Sequence, residues 1–195
     1  MNLLLTGLST DPRAGLSAGL YTAEEAILNL ELVASLKKPT GFYDPKNPEM
    51  KGSEDADSKD DEVLTIEEAS RKLRSPMLSF SNTDMAFKDN LLVAGSYHGF
   101  NIYELQDDGI PNLITSVVCP GGQGDVSVVG NILIMSVEET RGRVDCGLDG
   151  VGPDASPERF RGIRIFDISN IKKPKQVGAV QTCRGSHTHS VVAGP

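Results

Sequence analysis

The chain of 195 residues has no tryptophan, only 5% aromatic residues, three cysteines and three histidines. It nowhere contains the run of about 18 apolar residues that a bilayer-spanning helix requires, so no transmembrane segment is expected. Basic residues are outnumbered, 19 against 27 acidic, for a net charge of −8. The basic face that a phosphate backbone would demand is missing, which excludes nucleic acid as a partner. With histidine only at positions 98, 187 and 189, no Ser-His-Asp or Cys-His nucleophile set can be placed. The stretch Gly121-Gly122-Gln123-Gly124 lacks the Gly-Lys-Ser/Thr of a phosphate loop and runs into a strand rather than a helix. A basic residue is also missing before Arg13, so the apolar patch Leu3 to Leu5 reads as the tail of a secretory signal or as a loose N-terminus.

What is present is a repeat. Arg161 to Asn170, RGIRIFDISN, carries apolar residues at Ile163, Ile165, Phe166 and Ile168, close to the period of two of a half-buried strand. The same figure appears 63 positions earlier in HGFNIYEL, where Gly99 stands for Gly162, Ile102 for Ile165 and Pro111 for Pro174. Asp84 opens DMAFKDNLLVAGS and, 41 positions on, Asp125 opens DVSVVGNILIMSV. In each, a short strand is followed by a two-residue turn, Asp89-Asn90 or Gly130-Asn131, built from residues that tolerate positive φ. His189 in HTHSVV marks a third start, 64 positions after Asp125.

A period near 41 with four short strands per unit is that of a β-propeller blade. The expected fold is therefore all-β: about two four-stranded blades, strands near 84–88, 91–96, 100–105, 112–119, 125–129, 132–138, 162–168 and 175–182, plus the first strand of a third. A propeller needs at least about four blades to close. The chain is accordingly read as the N-terminal part of a longer protein, whose remaining blades complete the ring. Ile165 is placed in the packing layer between blades.

The region before the blades reads as irregular with short helices. An N-terminal segment (1–43) holds Thr22-Ala23-Glu24-Glu25, a capping box that predicts a helix over 23–29, followed by an extended LELVAS. Residues 44–62 contain eight acidic residues and three lysines and form an acidic, solvated linker. A second short helix is expected at Thr65 to Arg74, within a lead-in of 63–81, and the blades occupy 82–195.

RGIRIFDISNIKKPKQVGAVQT, with the preceding strand NILIMSVE, resembles the repeat of bacterial LVIVD-repeat proteins. DPRAGLSAGLYTAEEA, CPGGQGDVSV and CRGSHTHS are similar to one subgroup of them. The resemblance implies a propeller that is secreted or periplasmic, and assigns it no reaction.

Propeller geometry gathers the Gly121–Gly124 loop, the insertion from Glu138 to Arg161 and the connector from Arg184 to His189 on one face. Asp84, Gln123, Asp125, Arg184, His187 and His189 are the candidate channel-mouth residues for an unknown small molecule or protein partner. For Asp84 and Asp125 the alternative is an acceptor role toward loop backbone. His187 and His189 have a strand spacing that metal ligands use, so a divalent metal ion is the one cofactor suggested; the alternative is a hydrogen-bonded structural role. The cluster Arg141, Arg143, Arg159, Arg161 and Arg164 lies among enough carboxylates for mutual salt bridging. Of the cysteines, Cys146–Cys183 is the expected disulfide, with Cys146–Cys119 second and no bond third. The functional expectation is a non-enzymatic binding scaffold; the alternatives are a metal-dependent enzyme, in the manner of an oxidoreductase, and a structural surface module.

Overall fold

A computed structural model of the chain describes residues 11–19, 22–39, 42, 82–140, 142–148, 151 and 155–192. The expected acidic linker, the helix over 65–74, the patch Leu3 to Leu5 and Arg141 lie outside the described residues. The chain divides into two units, residues 1–37 and 38–195.

The first unit holds no helix among its described residues, which corrects the capping-box expectation for 23–29. Glu24 folds back instead: its carboxylate accepts the Ser17 N–H at 2.8 Å and its own N–H donates to Ser17 O at 3.1 Å. A lone helix of two turns is marginal in water, and here the N-terminal Glu is engaged in closing a loop. Asn29 then adopts φ +58, which no helix continues through.

Among the described residues of the second unit eight strands follow one another: β1 (Asn82–Lys88), β2 (Leu91–Ser96), β3 (Gly99–Leu105), β4 (Pro111–Val118), β5 (Val126–Val129), β6 (Ile132–Val137), β7 (Gly162–Asp167) and β8 (Lys175–Gln181). They make two antiparallel four-stranded sheets, each in simple sequence order, at the places where the alternation put them. The β1–β2 and β5–β6 turns use left-handed Asp89 (φ +52) and Gly130 (φ +56), as hairpin turns require. Gly99 and Gly162 open β3 and β7 with φ +130 and +146. A Cβ there would lie 2.0 Å from the carbonyl oxygens of Val117 and Val180, so no other residue fits.

The two sheets keep one register. Gly99 faces Val118 and Gly162 faces Gln181, and each sheet has a bulge just after the paired isoleucine, Ile102 or Ile165. Beyond the strands the Cys119 N–H donates to His98 O (2.7 Å), and the Thr182 N–H donates to Arg161 O (2.9 Å). The counterpart of Cys119 is thus Thr182, one residue before Cys183, and the shift of 63 seen at Gly99 and Gly162 holds to this point.

The sheets pack face to face, with β1 lying against β5. Val93, Phe100 and Ile102 of the first meet Val126, Leu133, Met135, Phe166 and Ile168 of the second, and Cys119 joins them. Phe100 and Phe166 are edge-to-face at 5.0 Å, a geometry worth about 0.5–1.5 kcal/mol beyond area burial. On β7 the residues turned inward are Arg164 and Phe166. Ile165 is on the other face and half-buried, outside the layer between these two sheets.

Candidate functional site

Four segments converge at one end of the sheets: the Tyr97-His98 turn, the connector from Cys119 to Asp125, the insertion after β6, and the connector after β8. Backbone hydrogen bonds stitch them. Gly121 O accepts from both Glu138 N (2.8 Å) and Glu139 N (2.9 Å), Gly121 N donates to Tyr97 O (3.4 Å), and Ser186 N donates to Val137 O (3.0 Å). Gly122, at φ +119, is so close that a Cβ would lie 2.5 Å from the Glu138 side chain.

Asp84 and Asp125 have the same role. The Asp84 carboxylate accepts the Val126 N–H at 2.8 Å, and that of Asp125 accepts the His189 N–H at 2.8 Å. Asp84 thus ties its sheet to the first strand of the second, and Asp125 ties its sheet to the connector after β8. Gln123 is held by its backbone: its carbonyl accepts from the Thr83 hydroxyl, and its N–H approaches the Glu138 carboxylate at 3.4 Å. Arg184 is exposed.

The two candidate histidines part company. His187 is 58% exposed, and its Nδ1 pairs with the Glu138 carboxylate. His189 is 12% exposed; its Nδ1 lies 2.8 Å from Asp125 Oδ2 and 2.9 Å from Ser136 Oγ, while its Nε2 is buried with no hydrogen-bond partner. Ser136 Oγ also meets Ser186 Oγ at 2.9 Å. Serine, histidine and aspartate therefore come together, but both oxygens address one ring nitrogen. A proton relay needs them on opposite nitrogens, so this is a buried hydrogen-bond cluster. Among the described residues, no three His, Cys, Asp or Glu side chains gather as a metal site would require.

The cysteines pair as Cys119–Cys146, with Cα atoms 4.4 Å apart, and Cys183 is an exposed free thiol. This corrects the Cys146–Cys183 expectation, and the one-residue register explains it. Cys183 follows the position equivalent to Cys119, and in an extended chain a slip of one turns the side chain to the opposite side.

Beneath the bond lies Arg164, 0% exposed. Nη1 donates to Cys119 O (3.0 Å) and Pro120 O (3.1 Å), Nη2 donates to Arg143 O (2.5 Å), and the guanidinium lies 5.6 Å from the Phe160 ring centroid. Burial pulls its pKa down to about 10, so it remains protonated at neutral pH. Arg143 meets the salt-bridge expectation, with Asp145 at 2.8 Å and Glu158 at 2.6 Å. The Asp145 carboxyl is held well below the usual range, first by the Arg143 hydrogen bonds and then by the Gly147 N–H. Glu138, Ser136 and Ser186 were not among the candidate site residues, and Arg164, expected in a salt-bridging cluster, bonds three carbonyls instead. Only Arg164 had a signal, a cation in phase with Phe166 and Ile168 on one strand face.

No protein-family model matches the chain, and no curated protein is similar to it. Among solved structures, the crystal structure of the computationally designed Ika4 protein is similar at 14% identity, over 52% of this chain and 75% of that one, with a TM-score of 0.24. A likeness that slight bears on neither fold nor function.

Proposed function

We propose that the two sheets are successive blades of a β-propeller related to the LVIVD-repeat proteins, and that the loops stitched together at one end bind a small molecule or a protein partner. One observation carries the architecture. The open face of the second sheet presents Ile132, Ile134, Ile163, Ile165 and Val180, half-buried or exposed. Their counterparts in the first sheet are Leu91, Val93, Phe100, Ile102 and Val117, which pack against the second sheet. The open face is thus a copy of a face that takes a neighbouring sheet. Asp125 already holds His189, where Asp84 holds the first strand of the next sheet, so the segment 189–192 begins a third unit.

The binding reading rests on rigidity. The loops are fixed by shared carbonyls and by the disulfide, and loops displayed on a rigid scaffold are where sites are built. The disulfide also supports a secreted or periplasmic home, since such bonds persist in oxidising compartments. A screen of metabolites and proteins from the source organism against the immobilised native protein tests this. The expected ligand loses affinity in a Gln123→Ala/His187→Ala variant whose melting temperature is unchanged; a ligand indifferent to both substitutions overturns the reading.

A second reading, a metal-dependent enzyme, has one supporting observation. Both imidazoles are oriented by a carboxylate on Nδ1, as metal-ligating histidines are. It would require ligands from further units, and elemental analysis of the native protein separates the two.

A further inference from the structure

The strand β8 leaves one edge of the second sheet open. Thr182 N–H donates to Arg161 O at 2.9 Å, and these two residues stand one step beyond the Gly162–Gln181 pair of the β7–β8 register. In an antiparallel ladder, pairs that exchange hydrogen bonds alternate with pairs that exchange none. Gly162–Gln181 and Arg164–Ala179 are therefore of the second kind, and the N–H and C=O groups of Gln181 and Ala179 point away from β7. Those groups have no backbone partner among the described residues. The guards an open edge commonly has, proline, lysine and a bulge, fall at the start of β8, as Pro174, Lys175 and the unpaired Val177. From Gly178 to Gln181 none is present, and Ala179, Val180 and Gln181 are exposed. A neighbouring sheet does not close such an edge: the second sheet packs on a face of the first and adds no strand to β4.

We propose that β8 takes up an extended, acidic segment of a partner protein as an added strand. Charge names the occupant. From Ser169 to Pro195 the sequence has Lys172, Lys173, Lys175 and Arg184 and no acidic residue, in a chain of net charge −8. All four basic residues are exposed, three at one end of β8 and one at the other, and none has a salt bridge among the described residues. Asp167, opposite Lys175 in the ladder, is engaged by the Ser169 N–H at 2.8 Å. A second copy fits worse. Antiparallel pairing of β8 with itself about Gly178 would set the lysines at one end of each copy beside Arg184 of the other, like charge on like.

A cleft of about 650 Å³ opens beside this edge, shared by Ala179 and Gln181 with Val144, Ala155 and Pro157 of the insertion. On an added strand alternate side chains point to the face of Ala179 and Gln181, where the cleft receives them, and the others lie on the face of Val180. Main-chain bonds to Ala179 and Gln181 supply affinity, the cleft selects side chains, and the basic residues steer the encounter. Because β8 is already held by its ladder to β7, the ordering cost falls on the incoming segment alone.

Titration of a fluorescein-labelled, capped peptide of strand length, alternating glutamate and valine, with the whole protein tests the proposal by anisotropy. The peptide is expected to bind, and amide hydrogen exchange at Ala179 and Gln181 to slow when it does. N-methylation throughout the peptide removes its backbone donors and should weaken binding at least about tenfold. Lysine in place of its glutamates should abolish binding. In the protein, Ala179→Pro deletes an outward donor without touching the ladder to β7 and should also weaken binding. So should the triple charge reversal Lys172→Glu, Lys173→Glu and Lys175→Glu. His187→Ala at the mouth should leave binding unchanged, so this site and the mouth can fail separately. No binding, equal affinity for the lysine or N-methylated peptide, unaltered exchange at Ala179 and Gln181, or a dimer in solution that Ala179→Pro dissolves overturns the proposal.

Discussion

A guanidinium with no exposed surface and no carboxylate bonded to it is the residue on which the junction of the two sheets turns. Arg164 bonds three carbonyls, from the exit of the first sheet and from the insertion of the second. Arg143 O also accepts the Cys146 N–H (3.3 Å), but Arg164→Met would take the side-chain donor away from the buried Cys119 O and from Pro120 O. The expected cost is about 2–4 kcal/mol, read as a lower urea midpoint. Arg164→Lys should recover only part, because one ammonium cannot span the three acceptors. A wild-type midpoint in both would show that the contacts contribute nothing. His98 supplies the pH dependence. Burial first, and the Lys38 charge second, push its pKa down from 6.5 to about 4. The folded protein therefore refuses a proton that the unfolded chain takes up. Stability from this source is complete above pH 6.5 and is lost as pH falls toward 4, on the order of 3 kcal/mol over that interval. Melting curves at pH 7 and 4.5 should differ more for wild type than for His98→Gln.

Between elements, two devices hold the sheets, and they differ in reach. The aspartate latch is local: Asp84→Ala removes one carboxylate-to-backbone bond at the β1–β5 junction, at about 1.5–3 kcal/mol for a hydrogen bond to a charged group. Asp84→Asn should cost less, since an amide oxygen can still accept from Val126. The disulfide acts over distance. It closes a separation of 27 residues, which the chain-entropy account values at about 3.5 kcal/mol. Reduction, or Cys146→Ser, should lower the melting temperature and open the insertion to proteolysis between 138 and 161, while cleavage within β1–β4 is unaltered. First cleavage inside the first sheet would mean that the bond braces something other than the insertion.

At the scale of the whole molecule, the open face of the second sheet decides between an isolated pair of sheets and a ring. Ile102→Asp buries a charge in the packed layer and should unfold the protein, at several kcal/mol. Ile165→Asp has the same position in the other sheet, on the open face. In native protein, equal damage from the two means that a further sheet covers Ile165; a small effect at Ile165 alone would refute the propeller. Strand positions, hairpin turns and the repeat were legible in the chain itself, because alternation, Asp-Asn, Gly-Asn and the obligatory Gly99 and Gly162 are short-range constraints that each sheet satisfies internally. The candidate mouth was legible only in outline. That Asp84 and Asp125 hold equivalent places follows from the repeat, but the N–H groups they accept from, and the partners Glu138 and Ser136, have no sequence mark and arrive through packing. The first-unit helix failed because capping chemistry is a local preference, and the Glu24 N–H and carboxylate beside the box residue Glu25 bond Ser17 seven residues back. The disulfide, the inward turn of Arg164 and the outward turn of Ile165 each depended on a choice of face, which alternation leaves two-fold. Only packing one sheet on another breaks that symmetry, because burial rewards one face and leaves its copy open.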